Sequence, residues 1–352
     1  MRFYSEFAAE LAARGVRVPR LAAGVDHLDH LLGESAVADA PGAAPDAENL
    51  RGGGGILLLE CVDARLEQRS PVSFGQAAAA LRTVAGMHAA AWEDTALLQR
   101  AAERLQRHGG SFSLSIRNPA ELTKLRPNWE RFVGVFAPCA PALFGQERIL
   151  QLGARLEAVS SWVAGQLAVE PSDRFATLVH GDLKAMNLFL PAENPATASG
   201  AGEAPAGGGE TGTAADTGVA IDFASTGVGY GMADVAMFLS HSVAPDTLAD
   251  GGEEALLRIY VASLAQGLRA RGRGGSDSHG GGTADASAAA GALQTRGCGG
   301  LSYGPGAGGA SGETLMRQYR MGVVDYGRFV VSRFWGDASP DVFLTKVRSS
   351  GS

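Results

Sequence analysis

The stretch LVHGDLKAMNLFL, residues 178–190, decides how this sequence is interpreted. A short apolar strand leads into a polar loop, and a second apolar run follows the loop. His180, Asp182 and Asn187 form the pattern H-x-D-x-x-x-x-N, with Lys184 two residues after the aspartate. Because Asp and Asn are also common in ordinary turns, the pattern has a structural alternative, a simple turn after a strand.

The residue types of this loop suit the transfer of a phosphoryl group. An aspartate beside an acceptor hydroxyl can orient it and accept its proton, which makes Asp182 the candidate base. Lys184 can neutralise charge that grows on the moving group, and Asn187 can bind a metal ion through a neutral oxygen. Hard oxygen ligands of this kind suit Mg²⁺. The catalytic candidates are therefore Asp182 and Lys184.

A second element, VAIDF at residues 219–223, is an apolar strand that ends in Asp-Phe. Asp222 at this position is the candidate main ligand of a Mg²⁺ ion that bridges nucleotide phosphates. Most of the chain between Asn187 and Asp222 belongs to a low-complexity segment. If that segment is set aside, a short hairpin brings Asn187 and Asp222 together as a metal-binding pair.

Composition limits the possible partners. The chain has 352 residues, with 30 basic and 37 acidic side chains and a net charge of −7, which argues against nucleic acid as a partner. No apolar run reaches about 18 residues, so a membrane is not an expected partner either. Cys61, Cys139 and Cys298 are odd in number and far apart, which favours a reducing, cytoplasmic compartment.

The apolar spacing predicts a mainly helical α+β protein. A loop is predicted at 33–55, and the glycine-rich segments 191–218 and 271–312 have the composition of disordered insertions. The run GVGYG, residues 227–231, is interpreted as a turn before a helix rather than a phosphate-binding loop. Helices are predicted at 2–14, 75–92, 148–168, 231–243, 253–270 and 313–335. Strands are predicted at 56–59, where the run ILLL suggests a buried strand, and at 175–179, 188–190 and 219–221.

LVHGDLKAMNLFL and AIDFASTGVGYGMADVAMFL together resemble the aminoglycoside phosphotransferase and choline-kinase-like superfamily, and look closest to its CHK, or ecdysteroid-kinase-like, branch. MRFYSEFAAEL, ILLLECVDA, LRTVAGMHAAAW and YRMGVVDYGRFVVSRFW resemble the family's early helix, hinge, following helix and C-terminal helix. The resemblance implies a protein-kinase-like fold of two lobes. Residues 1–62 would be a truncated N-terminal lobe, and residues 63–352 a helical C-terminal lobe that carries both insertions.

The resemblance also implies ATP and Mg²⁺ as cofactors and a hydroxyl group of a small molecule as the acceptor. The backbone of Glu60 and Val62 would bind adenine, and Asn187 with Asp222 would hold the nucleotide-bound Mg²⁺. Asp234 would tie the helix that follows to the catalytic loop. Similar proteins phosphorylate aminoglycosides, choline, ethanolamine and steroid-like alcohols, and the sequence does not choose among these acceptors or indicate an oligomeric state.

The sequence departs from the family near its beginning. The family implies a phosphate-covering loop and a strand lysine that pairs with a helix glutamate, but no lysine precedes Lys124 here. Glu6 and Glu10 fall on other faces of their helix. Two interpretations stay open: a small-molecule kinase whose gene model lacks its first strands, or a pseudokinase or non-catalytic binding module. We expect weak or absent turnover from this polypeptide.

Other conspicuous side chains are expected to serve packing. Cys61, beside the hinge, is expected to be a small buried residue rather than a reactive thiol. His88 and Trp92 are expected to form a packed helix face rather than line an acceptor pocket. The last helix either closes the acceptor site with aromatic rings or packs in the core with a surface ion pair. The residues concerned are Asp325, Tyr326, Arg328 and Trp335.

Overall fold

The structure, a computed structural model, describes residues 2–25, 56–192, 217–274 and 309–335. The predicted loop at 33–55 and most of the segments 191–218 and 271–312 lie outside these described residues. The disorder predicted for them therefore stays a prediction.

Helices make up most of the described chain, and small sheets accompany them, as the predicted α+β class requires. The predicted segments are all helical with ends shifted by a few residues, but the segments 2–14 and 148–168 are each divided into two helices, at Phe7 and at Gln151. The α-helices are α1 Arg2–Glu6, α2 Ala8–Ala13, α3 Phe74–Ala91, α4 Thr95–Arg104, α5 Leu125–Phe136, α6 Pro141–Phe144, α7 Glu147–Leu150, α8 Leu152–Leu167, α9 Gly231–Ser242, α10 Pro245–Leu248, α11 Gly252–Gly274 and α12 Gly309–Arg333.

The strands are short and pair in three small sheets within the described residues. The first sheet is an antiparallel hairpin of β1 and β2, the second has the order β3-β6-β7, and the third has the order β4-β8-β5. The strands are β1 Leu21–Val25, β2 Ile56–Leu59, β3 Leu66–Glu67, β4 Gln106–His108, β5 Ala176–Val179, β6 Leu188–Pro191, β7 Val219–Ala220 and β8 Gly227–Tyr230.

One large apolar core joins the first helices to the rest of the chain. Phe3, Phe7 and Leu11 are buried in the same cluster as α3, β5, α9 and α11. The start of α3 is fixed locally, because Ser73 and Gln76 form a reciprocal capping box that satisfies two otherwise unpaired backbone donors. Around the core, Arg104 pairs with Glu6 at 2.7 Å, which ties α1 to α4 on the surface.

Two predictions about the strands are wrong in detail. The run Ile56–Leu59 does form a strand, but it is not buried, because the described residues offer β1 as its partner and no covering layer. The glycine-rich run is not a turn but the strand β8, which lies between β4 and β5. A Cβ at Gly227 would lie 2.2 Å from the Gln106 carbonyl oxygen, so glycine is what allows these strands to approach.

Cys61 is also exposed rather than buried, since it follows the uncovered strand β2. Among the described residues, no helix combines the length and the apolar character needed to cross a membrane.

Candidate active site

A buried carboxylate anchors the loop that follows β5. Asp234, in the first turn of α9, accepts hydrogen bonds from the backbone N–H of His180 at 2.7 Å and of Gly181 at 2.9 Å. Both donors belong to the loop of the H-x-D-x-x-x-x-N pattern. This is the tie between helix and loop that the family resemblance implies for Asp234.

The anchor is itself held from the opposite side by helices α3 and α11. His88 Nε2 lies 3.1 Å from Asp234 Oδ2, and His88 Nδ1 lies 2.8 Å from the Tyr260 hydroxyl. Burial opposes ionisation of Asp234, but its hydrogen bonds and the neighbouring imidazoles of His88 and His180 outweigh burial and lower its pKa. His88 therefore serves a buried polar network, while Trp92 packs against Phe175, so the packed-face expectation holds for both.

The loop after β5 requires glycine at position 181. Gly181 has a φ of +81°, a backbone conformation that side-chain-bearing residues rarely adopt. A Cβ there would lie 2.0 Å from the Ser225 carbonyl oxygen and 2.7 Å from the Gly110 nitrogen. The close approach brings the loop against the segment that follows Asp222.

Three side chains contact the Asp182 carboxylate. Lys184 Nζ donates to Asp182 Oδ2 at 2.8 Å, and Asn187 Nδ2 donates to the same oxygen at 3.2 Å. Ser111 Oγ donates to the other oxygen, Oδ1, at 3.0 Å. The aspartate and the lysine side chains both stay partly exposed, so the group is open to a ligand.

The same contacts determine how the Asn187 amide is oriented. Its Nδ2 faces two acceptors, the Asp182 carboxylate and the Asp182 carbonyl oxygen at 2.9 Å. Because an amide nitrogen donates and does not accept, the assignment is unambiguous, and the Asn187 Oδ1 is the atom left to face a ligand. That oxygen is the one that a metal ion would use.

Asp222 lies beside Asn187 at one end of the β6–β7 hairpin. Leu188 is paired with Ala220, and the Ile221 N–H donates to the Asn187 carbonyl oxygen at 2.9 Å. Asp222 itself is exposed, and its backbone is left-handed, with φ 62° and ψ 64°. Such a conformation is uncommon for a non-glycine residue and is often found at functional sites.

The His180 side chain contacts both the Asp182 loop and the strand end that leads to Asp222. Its Nε2 lies 2.9 Å from the Ile221 carbonyl oxygen, which can only accept, so Nε2 carries the proton. Its Nδ1 then accepts a hydrogen bond from the Asp182 N–H at 3.3 Å. The His180 imidazole thus links the loop that carries Asp182 to the segment that carries Asp222.

The donor set fits a magnesium ion that is shared with phosphates. Among the described residues, no group of three or more His, Cys, Asp or Glu side chains could hold a metal by itself. Asn187 and Asp222 offer two hard oxygen ligands on neighbouring strand ends, and Mg²⁺ usually combines one or two protein oxygens with phosphate and water. Two protein oxygens could hold such an ion only together with further ligands.

The first helix packs directly on the Asp222 segment. Phe3 stacks on Phe223 with ring centroids 3.8 Å apart, and Tyr4 meets the same ring edge-on at 5.7 Å. Burial raises the pKa of the Tyr4 hydroxyl to about 12, and the charge of Asp222 adds to the shift although an Asp222 backbone contact opposes it. Helix α1 is therefore part of the support of Asp222.

The predicted adenine-binding residues lie apart from this network, directly after β2. Glu60 is exposed and Val62 is half-buried. The Glu60 N–H donates a hydrogen bond to the Arg20 carbonyl oxygen at 2.8 Å, and the Val62 carbonyl oxygen lies 3.6 Å from the Cys61 thiol. Among the described residues, the Glu60 carbonyl oxygen and the Val62 N–H make no hydrogen bond, so both could face a base edge.

In the C-terminal helix α12, the ion pair expected on the surface lies in the interior. Arg328 and Asp325 pair at 2.7 Å, but the pair is buried rather than on the surface. Arg328 also donates through Nη2 to the Phe112 carbonyl oxygen. Burial, opposed by the nearby Arg328 charge, raises the pKa of Asp325. The helix thus reaches the loop that carries Ser111.

Tyr326 lies on the same helix, close to the candidate base. Its hydroxyl is 2.7 Å from His241 Nδ1, and its ring meets Phe112 edge-on at 5.5 Å. Burial, together with the charge of Asp182, raises its pKa to about 12. Trp335 instead stacks on Phe132, in a separate aromatic cluster.

Sequence reasoning missed Ser111 and the role of Phe3. Ser111 lies far upstream of Asp182, in a loop without a recognisable pattern, so no spacing in the sequence could have indicated it. Phe3 and Tyr4 lie in the run that resembles the family's early helix, but only their contacts with Phe223 show what they support.

No model of a known protein family matches this sequence, and no curated protein matches it significantly.

Proposed function

We propose that this chain binds Mg-ATP and transfers the γ-phosphoryl group to a hydroxyl of a small molecule, on a protein-kinase-like fold of two lobes. Residues 1–62 would form the reduced N-terminal lobe, and residues 63–352 the C-terminal lobe. The observation that carries the proposal is the convergence of Lys184 and Asn187 on one oxygen of Asp182, beside the hairpin end that bears Asp222.

In this proposal Asp182 orients the acceptor hydroxyl and takes its proton. The acceptor oxygen forms a bond to the γ-phosphorus as the bond between that phosphorus and the β–γ bridging oxygen breaks, and ADP leaves with the bridging oxygen. Lys184, 2.8 Å from the carboxylate, is close enough to neutralise charge on the transferred group. The Lys184 side chain is partly exposed, so it can turn from Asp182 towards the transferred group.

Asn187 and Asp222 would hold the Mg²⁺ of the nucleotide. When bound, the ion would supply charge neutralisation across the β- and γ-phosphates. The chain's own contribution is to orient two oxygens: Asn187 through its fixed amide, and Asp222 through its left-handed backbone and the Phe3–Phe223 stack. The free carbonyl of Glu60 and N–H of Val62 would bind the adenine edge.

A second candidate function is nucleotide or metabolite binding without turnover. It is favoured by the surroundings of Asp222, because none of the ion pairs among the described residues includes this carboxylate. A strand lysine would normally grip the α- and β-phosphates, and this sequence has no lysine before Lys124. We therefore expect weak turnover, and binding is the first property to measure.

The test is a thermal-shift titration of the full chain with Mg-ATP. A ligand that binds only the folded state stabilises it by RT ln(1 + [L]/Kd), so the shift grows with ligand concentration. We expect a Mg²⁺-dependent shift in the wild type and its loss in Asp222→Ala. Asp246→Ala, which removes an equally exposed acid on α10, is the matched control and should keep the shift.

The outcomes separate the two functions. A shift that Asp222→Ala abolishes, with phosphate release from ATP that Asp182→Ala reduces, supports the phosphotransferase. A shift without any phosphate release supports the non-catalytic binding protein. If Mg-ATP produces no shift, or if Asp222→Ala keeps the full shift, the proposed nucleotide site is wrong.

A further inference from the structure

A loop outside the H-x-D-x-x-x-x-N pattern contacts the catalytic loop twice. Ser111, which follows β4, donates its backbone N–H to the Gly181 carbonyl oxygen at 2.7 Å. Its hydroxyl donates to Asp182 Oδ1 at 3.0 Å. The backbone contact does not depend on the side chain, so the hydroxyl contact with Asp182 can be removed by itself.

The distribution of contacts over the two carboxylate oxygens is uneven. Each oxygen of a carboxylate can accept about two hydrogen bonds. Lys184 and Asn187 together fill the capacity of Oδ2, whereas among the described residues Ser111 alone contacts Oδ1. Oδ1 is therefore the oxygen with a lone pair left for an acceptor hydroxyl, and Ser111 is the side chain next to that position.

The Ser111 loop is held rigidly by the C-terminal helix. Arg328 is fully buried and donates to the Phe112 carbonyl oxygen, one residue after Ser111. The Phe112 ring is buried too and packs edge-on against Tyr326. A side chain that orients a reacting group is effective only when its own position is fixed by neighbours. Arg328 and Tyr326 provide that fixation.

We infer that Ser111 is a positioning residue whose hydroxyl turns the Asp182 carboxylate so that Oδ1 faces the acceptor. This inference rests on the proposed phosphotransfer. Ser111 does not take the proton; it sets the direction in which Asp182 can take it.

The experiment compares Ser111→Ala with Ser111→Thr, which keeps a hydroxyl, in the full chain. The activity readout is phosphate release from saturating Mg-ATP, with water in place of the unidentified acceptor. We expect Ser111→Ala to lower kcat about tenfold to a hundredfold, the size of one hydrogen bond to a charged group, at an unchanged KM for Mg-ATP. Ser111→Thr should restore most of kcat.

Ser113→Ala is the matched control, because Ser113 belongs to the same loop but its hydroxyl contacts Ser115 at 2.9 Å. It should leave kcat and KM unchanged. Equal losses of kcat in Ser111→Ala and Ser113→Ala would overturn the inference, because the loop as a whole would then matter rather than the contact with Asp182.

A second readout does not need turnover. In protein labelled with [¹³Cγ]aspartate, the Asp182 resonance is identified by its absence in Asp182→Asn. At one neutral pH, Ser111→Ala should move this resonance, whereas Ser111→Thr and Ser113→Ala should leave it near the wild-type position. A resonance that moves in a chain without phosphate release supports the role of Ser111 and counts against the proposed phosphotransfer. An unmoved resonance with wild-type kcat in Ser111→Ala overturns the inference and leaves the phosphotransfer intact.

Discussion

The strands β2 and β5 each have four apolar or small residues, but they differ in how much of their surface is buried. All four residues of β5 are buried, and β5 leads into the anchored loop that carries Asp182. In β2, Ile56, Leu57 and Leu58 are exposed by 53%, 39% and 60%, and β2 leads into the segment that contains Glu60 and Val62. The difference teaches that apolar composition predicts a strand, while burial depends on the layers that other segments provide.

The contrast extends to the polar contacts of each region. After β5, the loop is fixed by Asp234, by Ser111 and by the His180 ring. A two-stranded hairpin such as β1–β2, with no third strand in the described residues, is marginal by itself. We therefore expect substitutions around β5 to cost much more stability than substitutions around β2.

The largest effect is expected for Asp234→Ala. The substitution leaves the His180 and Gly181 N–H groups and the His88 imidazole without their shared buried acceptor. Breaking a buried polar or ionic contact by removing one partner typically costs about 3–5 kcal/mol. Urea unfolding, followed by far-UV circular dichroism, should show a loss of this size in the free energy of unfolding.

Asp246→Ala is the control for that measurement, because Asp246 is exposed and lies only a short distance along the chain. It should change the free energy of unfolding by less than about 0.5 kcal/mol. A similar small loss in Asp234→Ala would mean that the loop is held without its carboxylate anchor, and the contrast between the two regions would weaken.

The second effect compares the strands directly through the same substitution. Leu178→Ala in β5 removes a fully buried side chain and should cost about 3 kcal/mol, from lost burial and the cavity left behind. Leu58→Ala in β2 removes a side chain that is 60% exposed and should cost less than about 0.5 kcal/mol. Equal losses in the two variants, measured by urea unfolding, would show that β2 is covered in solution.

The sequence predicted most of the long helices and the strands β2, β5, β6 and β7, because their apolar spacing is local information. It did not predict the short strands β1, β3, β4 and β8 or the helices α4 and α5. The family resemblance also implied that Asp234 ties helix α9 to the loop, and its hydrogen bonds with the His180 and Gly181 N–H groups agree with that expectation. The sequence could not predict the exposure of β2, which depends on what other segments cover it. Nor could it predict Ser111, because the contact with Asp182 joins residues 71 positions apart with no pattern between them.

The smallest expected effect is the dependence of the free energy of unfolding on acid pH. It should distinguish the region around β2 from the region around β5 most sharply. Among the aspartates with lowered pKa values, exposed Asp63, shortly after β2, has a pKa of about 2 because Arg65 hydrogen-bonds to it, and buried Asp234 has its pKa lowered by contacts that outweigh its burial. An acid with a lowered pKa stabilises the fold above its unfolded-state value of about 3.9. That stability is lost as the pH falls through the folded-state value.

Solvent screens the exposed pair of Asp63 and Arg65, so its contribution should be small. Free energies of unfolding are measured in urea between about pH 5 and about pH 3 at low salt. The wild type should lose stability below about pH 4, Asp234→Asn should flatten this decline, and Asp63→Asn should leave it nearly unchanged. If Asp63→Asn flattened the decline as much as Asp234→Asn, the segment after β2 would be as strongly coupled to folding as the loop after β5. The difference between β2 and β5 would then concern only apolar burial and not the polar network that each strand leads into.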